Sequence, residues 1–144
     1  MTIRNMRDLE KALQPVMSGM IDELAERVYE TLNYFLQEYY NSYNPKSYKR
    51  QFDFLRSAIK VEPQIKGNKV TASVFIDIDS MDNYYNATGL QVASWANKGL
   101  HGGLNTGGNT PHVWDDTMKE TLENGELLNL AMDYLKSKGF SVRN

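Results

Sequence analysis

The sequence predicts an α+β domain in which a long N-terminal helix and C-terminal helices pack on a small antiparallel sheet. Three observations support this fold class: a helical apolar stripe over residues 9–39, a period-two pattern centred on residues 58–78, and further helical patterns after residue 89. A chain of 144 residues can bury about two-thirds of the surface that its unfolded form exposes. We therefore expect residues 1–144 to form a single domain.

The N-terminal helix is predicted from apolar residues that recur every three or four positions between Leu9 and Tyr39. This spacing places them on one face of a helix, where they can be buried together. Pro15 has no backbone N–H, and its ring clashes with the preceding turn of a helix. We therefore expect the main helix to begin near Pro15, after a short helical prelude.

A β-hairpin is predicted next, with its turn at Lys66-Gly67-Asn68-Lys69. Because Pro63 cannot donate to a strand ladder, the first strand is expected at a sheet edge. Apolar residues alternate with polar ones along both strands. The predicted rows are Ile59, Val61, Pro63 and Ile65 on the first strand and Val70, Ala72, Val74, Ile76 and Ile78 on the second.

Three shorter helical patterns follow the hairpin. The first covers Leu90 to Lys98, and Gly99 is placed to end it as a left-handed cap. The second begins at Trp114 and the third ends near Gly139. The predicted stripes are Leu90, Ala93, Ala96 and Asn97 with Val92 and Trp95 beside them, then Trp114, Met118 and Leu122, then Leu127, Leu130, Ala131, Tyr134 and Leu135.

Composition limits the classes of function. The net charge of −2 gives no overall attraction to nucleic acid, and a chain without cysteine has neither disulfides nor a thiolate nucleophile. No apolar run approaches the ~20 residues of a membrane span, and the N-terminus leads into a charged helix, so neither membrane insertion nor export is expected. Acids dominate residues 8–38 and bases dominate residues 45–69. These blocks are either solvated faces or surfaces that meet between copies in a head-to-tail ring.

Five of the ten glycines lie in residues 99–108, directly before His112. Such a run is either a mobile functional loop or a docking segment that needs positive φ angles. It lacks the P-loop and dinucleotide-binding patterns. One alternative is a small metal-dependent hydrolase that uses His101, His112, Asp115 and Asp116, although their spacing matches no known metal motif.

Two further patterns have alternative interpretations. Asp77, Asp79 and Asp82 alternate as calcium ligands do, but the glycine and the closing glutamate of an EF-hand are absent. The tyrosines around residues 29–48 favour a protein interface. With Lys46, Lys49 and Arg50 they could instead form a nucleic-acid-binding adaptor, stacking on bases beside the phosphates.

The order of these pieces resembles that of the small neck and tail-completion proteins, the head–tail joining proteins of long-tailed bacteriophages and prophages. The similarity rests on a Tyr/Pro/Arg element before the hairpin and on a glycine- and histidine-containing segment after it. In this chain the two elements are Tyr43-Asn44-Pro45-Lys46-Ser47-Tyr48-Lys49-Arg50 and Trp95-Ala96-Asn97-Lys98-Gly99-Leu100-His101-Gly102-Gly103.

The resemblance implies a structural virion protein that is made in the cytoplasm of the bacterial host and forms a ring at the head–tail junction or the tail end. Such a connector or tail terminator is not an enzyme, needs no cofactor or small-molecule substrate, and meets nucleic acid only in the ring lumen. Its partners would be copies of itself and other neck or tail proteins. The expected contact residues are Tyr43, Pro45, Tyr48, Arg50, Trp95, Gly99, His101, Gly102, Gly103, Gly107, Gly108 and His112.

Overall fold

The computed structural model describes residues 2–46, 50–81 and 87–143. These residues form an α+β fold, as predicted, with a long N-terminal helix, further helices and a two-stranded antiparallel sheet. The sheet, α3 and α4 all contact α1, which supports the fold. The elements are α1 (Met6–Asn41), β1 (Ala58–Lys66), β2 (Lys69–Ile76), a 3-10 turn (Ile78–Ser80), α2 (Gly89–Asn97), α3 (Val113–Met118), a π-helical segment (Lys119–Glu123) and α4 (Glu126–Ser137).

Helix α1 is continuous over 36 residues, a length of about 54 Å. The Asn5 side chain caps its start by accepting a hydrogen bond from the Asp8 N–H. The prediction that the main helix begins near Pro15 is wrong, because Pro15 lies inside the helix. Pro15 is exposed, and its one missing hydrogen bond is outweighed by the burial of the turns that follow, from Met20 onward.

Strand β2 carries the predicted inward row, since half-buried and exposed residues alternate along it. Ile78 lies just beyond the strand, in the 3-10 turn, and is half-buried there. The inner face of the hairpin packs on α1, which explains why this alternation is strict.

Strand β1 does not carry the predicted apolar row. Ala58 and Lys60 lie on the inner face, whereas Ile59 lies on the outer face, directly opposite Phe75. A β-bulge next to Pro63 shifts the register, because proline has no N–H to donate to the ladder. The bulge changes which residues face inward partway along the strand, so one period-two pattern cannot describe all of it.

Two carboxylates of α1 hold the inward-facing Lys60. Its Nζ lies 2.7 Å from Asp22 Oδ1 and 2.9 Å from Glu26 Oε2, and only 11% of the side chain is exposed. The hydrogen bond from Lys60 lowers the pKa of Asp22, and the bonds to both carboxylates raise the pKa of Lys60 above its usual value. Part of the charge complementarity between the acidic and basic blocks is therefore used within one chain.

Helix α2 lies close to its predicted bounds, and of its predicted stripe Ala96 is buried and Ala93 packs against the core. Val92 is buried, whereas the predicted Leu90 is exposed. The start of α2 is pressed against the 3-10 turn, where a Cβ on Gly89 would lie 2.1 Å from the carbonyl oxygen of Ile78. Because only glycine allows this approach, residue 89 fixes the rotation of the helix.

The buried line of α3 and the π-helical segment consists of Val113, Thr117 and Thr121 rather than the predicted Trp114, Met118 and Leu122. Trp114 and Met118 are half-buried, and Leu122 is exposed. Each threonine hydroxyl donates to the carbonyl oxygen four residues earlier, at 2.7 Å. Burial is possible because both hydroxyls are satisfied within their own helical segment.

The apolar face predicted for α4 is confirmed, and the helix ends before Gly139, as expected. It packs on α1 where Gly19 leaves room for Tyr134, since a Cβ on residue 19 would lie 2.0 Å from Tyr134 Oη. The half-buried residues of α4 include Leu127, Leu130, Ala131, Tyr134 and Leu135.

None of the described helices combines the length and the apolar character that a membrane crossing requires.

Replacing Lys60 with glutamate (Lys60→Glu) is expected to lower the Tm by several degrees, because it brings another carboxylate beside Asp22 and Glu26. Thermal unfolding followed by circular dichroism measures this change. The matched control is Lys66→Glu, which makes the same charge change at an exposed end of the same strand, outside the ion pairs of the described residues. Its Tm should stay near the wild-type value, and equal losses in both variants would contradict the prediction.

Candidate functional site

Residues 99–104 form a helix cap followed by a tight turn. Gly99, with φ +72°, follows the end of α2, and the Leu100 N–H donates to the carbonyl oxygen of Trp95 at 2.8 Å. This pattern is the left-handed helix cap that the sequence predicts at Gly99. The chain leaves α2 in a fixed direction, which determines where His101 lies.

A two-residue turn then brings His101 and Leu104 together. Their backbones exchange two hydrogen bonds of 2.9 Å, and the intervening Gly102 and Gly103 have φ angles of +56° and +80°. Two successive positive φ angles define the tight type I′ hairpin turn, which glycine adopts without strain. The first glycine pair therefore has a structural purpose, and the turn presents Leu104 at the surface.

His101 is stacked among aromatic side chains at the C-terminal end of α1. Its ring lies 4.1 Å from the Tyr39 ring in a parallel stack and 5.0 Å from the Tyr43 ring, and only 7% of His101 is exposed. His101 Nε2 lies 2.9 Å from Ser42 Oγ, whose hydroxyl already donates to the Tyr39 carbonyl oxygen. This contact ties the His101 ring to the end of α1.

Burial, with a smaller effect from the positive charge of Arg50, lowers the pKa of His101 to about 4. A histidine in this state is neutral at physiological pH. It packs as a flat aromatic ring with one hydrogen bond. The described surroundings of His101 therefore favour a structural use of its ring over proton transfer.

Two tyrosines tie the end of α1 to the segments around it. Tyr39 donates its hydroxyl proton to the Leu100 carbonyl oxygen at 2.6 Å, and Tyr40 donates to the Gln51 carbonyl oxygen at 2.8 Å. Arg50 Nη1 donates to the Tyr40 carbonyl oxygen at 2.9 Å, and its guanidinium lies 5.1 Å from the centre of the Tyr40 ring. These contacts hold the His101 hairpin and Arg50 against one helix end.

A cleft of about 310 Å³ opens between these groups, and we call it the aromatic cleft. It brings together five of the expected contact residues: Tyr43, Arg50, Trp95, His101 and Gly102. Gly103 also lies against it, since a Cβ there would be 3.5 Å from the Trp95 ring. The prediction from sequence missed the other lining residues, Tyr39, Tyr40, Gln51, Phe54, Ala87, Val92 and Leu104.

The sequence contained a signal for one of the missed residues. Leu104 follows a Gly-Gly pair, which is a common type I′ turn sequence, so its pairing with His101 could have been predicted. Phe54 and Val92 reach the cleft through tertiary packing from distant segments. No local pattern in the sequence brings those segments together.

His112 belongs to a different structural junction, between α2 and α3. Its Nδ1 donates to the Asn97 carbonyl oxygen at 3.0 Å, and its ring packs beside Gly99. The Asn97 Oδ1 accepts hydrogen bonds from the backbone N–H groups of Trp114 and Asp115, at 3.0 and 2.9 Å. Asn97 therefore caps the start of α3, and His112 and Gly99 help to join the two helices.

The four proposed metal ligands are not brought together as a site. His101 is buried in the aromatic stack, and the Asp116 carboxylate accepts a hydrogen bond from the His112 backbone N–H at 2.9 Å. Within residues 2–46, 50–81 and 87–143, no group of three or more histidine, aspartate and glutamate side chains converges as metal ligands do. The Asp77 side chain accepts from the Asp79 N–H, and Asp82 lies outside the described residues.

The other described residues of the expected contact set lie outside the cleft lining. Pro45 is half-buried, and Gly107 and Gly108 are exposed with positive φ angles. Tyr48 and Lys49 lie outside the described residues. Among the residues proposed for base stacking, Tyr39 and Tyr40 are buried with their hydroxyls bonded to the backbone, and Arg50 is bonded to Tyr40.

Fold and cleft together define an α+β protein built on one long helix, with an aromatic cleft at the end of that helix. The YomN family model matches residues 5–137, so the chain belongs to the YomN family. YomN is the name of a protein from Bacillus phages and prophages, and the family is therefore phage-associated. Neither a curated protein nor a solved structure matches the chain.

The stability of the protein is expected to fall as the pH is lowered through the range between 6.5 and about 4. In this range the unfolded chain binds a proton at His101 while the folded protein does not, so acid favours unfolding. The contribution of the neutral His101 to the free energy of unfolding is fully present above pH 6.5 and amounts to roughly 1–3 kcal/mol. Urea unfolding between about pH 7.5 and about pH 4.5 measures it.

The variant His101→Phe keeps an aromatic ring but cannot titrate, so its stability should depend less on pH over that range. The control His112→Gln leaves His101 in place and should keep the wild-type slope. Identical slopes in wild type and His101→Phe would show the prediction to be wrong.

Removing the cap of α3 with Asn97→Ala is expected to lower the free energy of unfolding by about 1 kcal/mol, because the N–H groups of Trp114 and Asp115 lose their acceptor. Urea unfolding at neutral pH measures the loss. Asn129→Ala, an exposed substitution on α4, serves as the control and should have little effect. A loss no larger than that of the control would contradict a capping role for Asn97.

Proposed function

We propose that the protein is a structural subunit of a tailed phage particle, a neck or tail-completion protein that forms a ring at the head–tail junction or the tail end. Membership of a phage-associated family supports the phage setting. The observation that carries the proposal is the aromatic cleft, which gathers five expected contact residues beside a hydrogen-bonded hairpin. The cleft would receive a segment of a neighbouring neck or tail protein.

The chemistry of the cleft suits contact with protein. Its lining includes Tyr43, Trp95 and Arg50. Tyrosine, tryptophan and arginine are enriched at the centres of protein interfaces. Leu104 stands at its lip with most of its side chain exposed. A partner segment could therefore bury apolar surface without first ordering a loop, which reduces the entropic cost of binding.

A non-enzymatic role is part of this proposal. Two polar groups around the cleft have structural hydrogen bonds: His101 is hydrogen-bonded to Ser42, and Arg50 donates to the carbonyl oxygen of Tyr40. A neutral histidine held in an aromatic stack is poorly placed for general base catalysis, which requires a pKa near the working pH. These features support docking as the use of the cleft.

Deletion of the gene from the phage or prophage that encodes it is the direct test. We expect purified wild-type particles to contain the protein. Without it, electron microscopy should show separate heads and tails or unfinished tails, and the infectious titre should fall by orders of magnitude. Fully infectious deletion particles, or wild-type particles that lack the protein, would overturn the proposal.

Complementation tests the role of the cleft. Leu104→Asp places a charge at its lip and should fail to restore the titre, since the charge would have to be buried against the partner. The matched control is Leu90→Asp, the same change at an exposed leucine of α2 outside the cleft lining. It should restore the titre, and equal titres from both variants would count against docking at the cleft.

A further inference from the structure

Arg50 brings a positive charge into the aromatic cleft. Among the described residues that line the cleft there is no lysine, aspartate or glutamate, so Arg50 is their one charged side chain at neutral pH. Most of the other lining residues are aromatic or aliphatic, such as Phe54, Val92 and Trp95. The cleft therefore combines a single cation with a predominantly apolar wall.

The charge of Arg50 has no acidic partner within the described part of the chain. Arg50 takes part in none of the ion pairs between described residues. Its Nη1 donates to the Tyr40 carbonyl oxygen at 2.9 Å, which uses one N–H of the guanidinium. The planar arrangement of the remaining N–H donors matches the two oxygens of a carboxylate. A carboxylate from another molecule would therefore complete the contacts of Arg50.

The guanidinium is positioned by its contacts with Tyr40. Its central carbon lies 5.1 Å from the centre of the Tyr40 ring, and Tyr40 is itself buried, with its hydroxyl bonded to the Gln51 carbonyl oxygen. Arg50 is half-buried. An ion pair is stronger where water is partly excluded, and it costs less entropy when the side chain is already held. Arg50 is thus better prepared to bind an anion than the exposed Arg56.

The apolar wall determines what accompanies the anion. Leu104 is 67% exposed at the lip of the cleft, and Trp95 is half-buried in its lining. Apolar groups of a partner would remove water from both side chains. The volume of about 310 Å³ is near the lower end of the range for ligand sites, roughly 300–1,000 Å³. It suits a few side chains of a short segment.

We propose that the aromatic cleft binds a short segment of a neighbouring particle protein in which an aspartate or glutamate lies next to apolar residues. The carboxylate binds Arg50, and the apolar side chains cover Trp95 and Leu104. This inference rests on the proposed function and specifies the chemistry of its partner. Capture of a chain terminus uses a nest of backbone N–H groups. The charge of this cleft is on a side chain, so we expect a side-chain carboxylate.

A nucleotide is another anion that binds arginine beside aromatic rings, through base stacking on open ring faces. Tyr39 stacks on His101, with the ring centres 4.1 Å apart. Tyr40 stacks on Phe52, with the ring centres 5.7 Å apart. These rings already have stacking partners, and the net charge of −2 does not attract a polyanion. The observations therefore favour an acidic peptide segment.

Two tripeptides test the inference on the full-length protein. The probes are acetyl-Phe-Glu-Leu-amide and acetyl-Phe-Gln-Leu-amide, which have nearly the same shape and differ in charge. In amide correlation NMR spectra, the glutamate probe should shift the signals of Trp95, His101 and Leu104. It should bind roughly tenfold more tightly than the glutamine probe, because its carboxylate pairs with Arg50. Equal affinities, shifts confined to residues outside the cleft, or no binding of either probe would overturn the inference.

Variants of Arg50 test whether its charge causes the preference. Arg50→Gln removes the charge but keeps a side-chain amide that can donate to the Tyr40 carbonyl oxygen, and it should abolish the preference for the glutamate probe. Arg50→Lys keeps the charge and should retain much of it. The matched control Arg56→Gln makes the same change at an exposed arginine outside the lining and should behave as wild type. A preference that survives in folded Arg50→Gln, or that Arg56→Gln removes as well, contradicts the assignment.

Two further probes distinguish the other sources of an anion. Acetyl-Phe-Gln-Leu with a free terminal carboxylate represents a chain terminus, and thymidine monophosphate represents nucleic acid. Both should bind more weakly than the glutamate probe. Tighter binding of the first would replace the acidic side chain with a chain terminus, and tighter binding of the second would replace the peptide with a nucleic acid.

Complementation of the deletion phage shows whether the inference or the proposed function has failed. Arg50→Glu should fail to restore the titre, whereas Arg56→Glu should restore it, with circular dichroism confirming that both variants fold. If particles need the protein but Arg50→Glu restores the titre, the acidic partner is wrong and the virion role stands. If the purified protein prefers the glutamate probe but particles lack the protein, the carboxylate site stands and the virion role is wrong.

Discussion

The fold depends on burial along one face of α1. The hairpin, α3 and α4 all contact this helix, and Leu32 and Leu36 are completely buried within the core cluster. A hairpin of two strands is marginal in water by itself, and a six-residue helix such as α3 is too short to be stable alone. Both persist because α1 provides a continuous apolar surface, and an interior proline is tolerated for the same reason.

The C-terminal end of α1 connects that core to the candidate site. The ring of Tyr39 stacks on His101 while its hydroxyl binds the Leu100 carbonyl oxygen, so one side chain holds two consecutive residues of the first arm of the glycine hairpin. Burial keeps His101 neutral, which removes the cost of placing a second cation near Arg50. The aromatic cleft is thus an extension of the core packing, and its shape depends on the same helix.

The surface of the protein divides into regions with distinct uses. Lys60 satisfies two acids of α1 internally, whereas the basic residues at the rim and turn of the hairpin remain available to other chains. The aromatic cleft lies at a different place, beside the end of α1. The proposed particle role would use the aromatic cleft for a neighbouring protein and leave the rest of the surface for other contacts.

The sequence by itself determined the elements: the apolar stripe of α1, the hairpin with its turn, the cap at Gly99 and the apolar face of α4 all follow from local periodicity and glycine chemistry. It also selected five residues that the structure brings into one cleft. Only the tertiary structure decided that Lys60 faces inward, that Thr117 and Thr121 are buried, and that the two histidines serve different junctions. Those outcomes depend on partners distant in the chain or on a bulge that reverses a strand face, and neither leaves a periodic signal in the sequence.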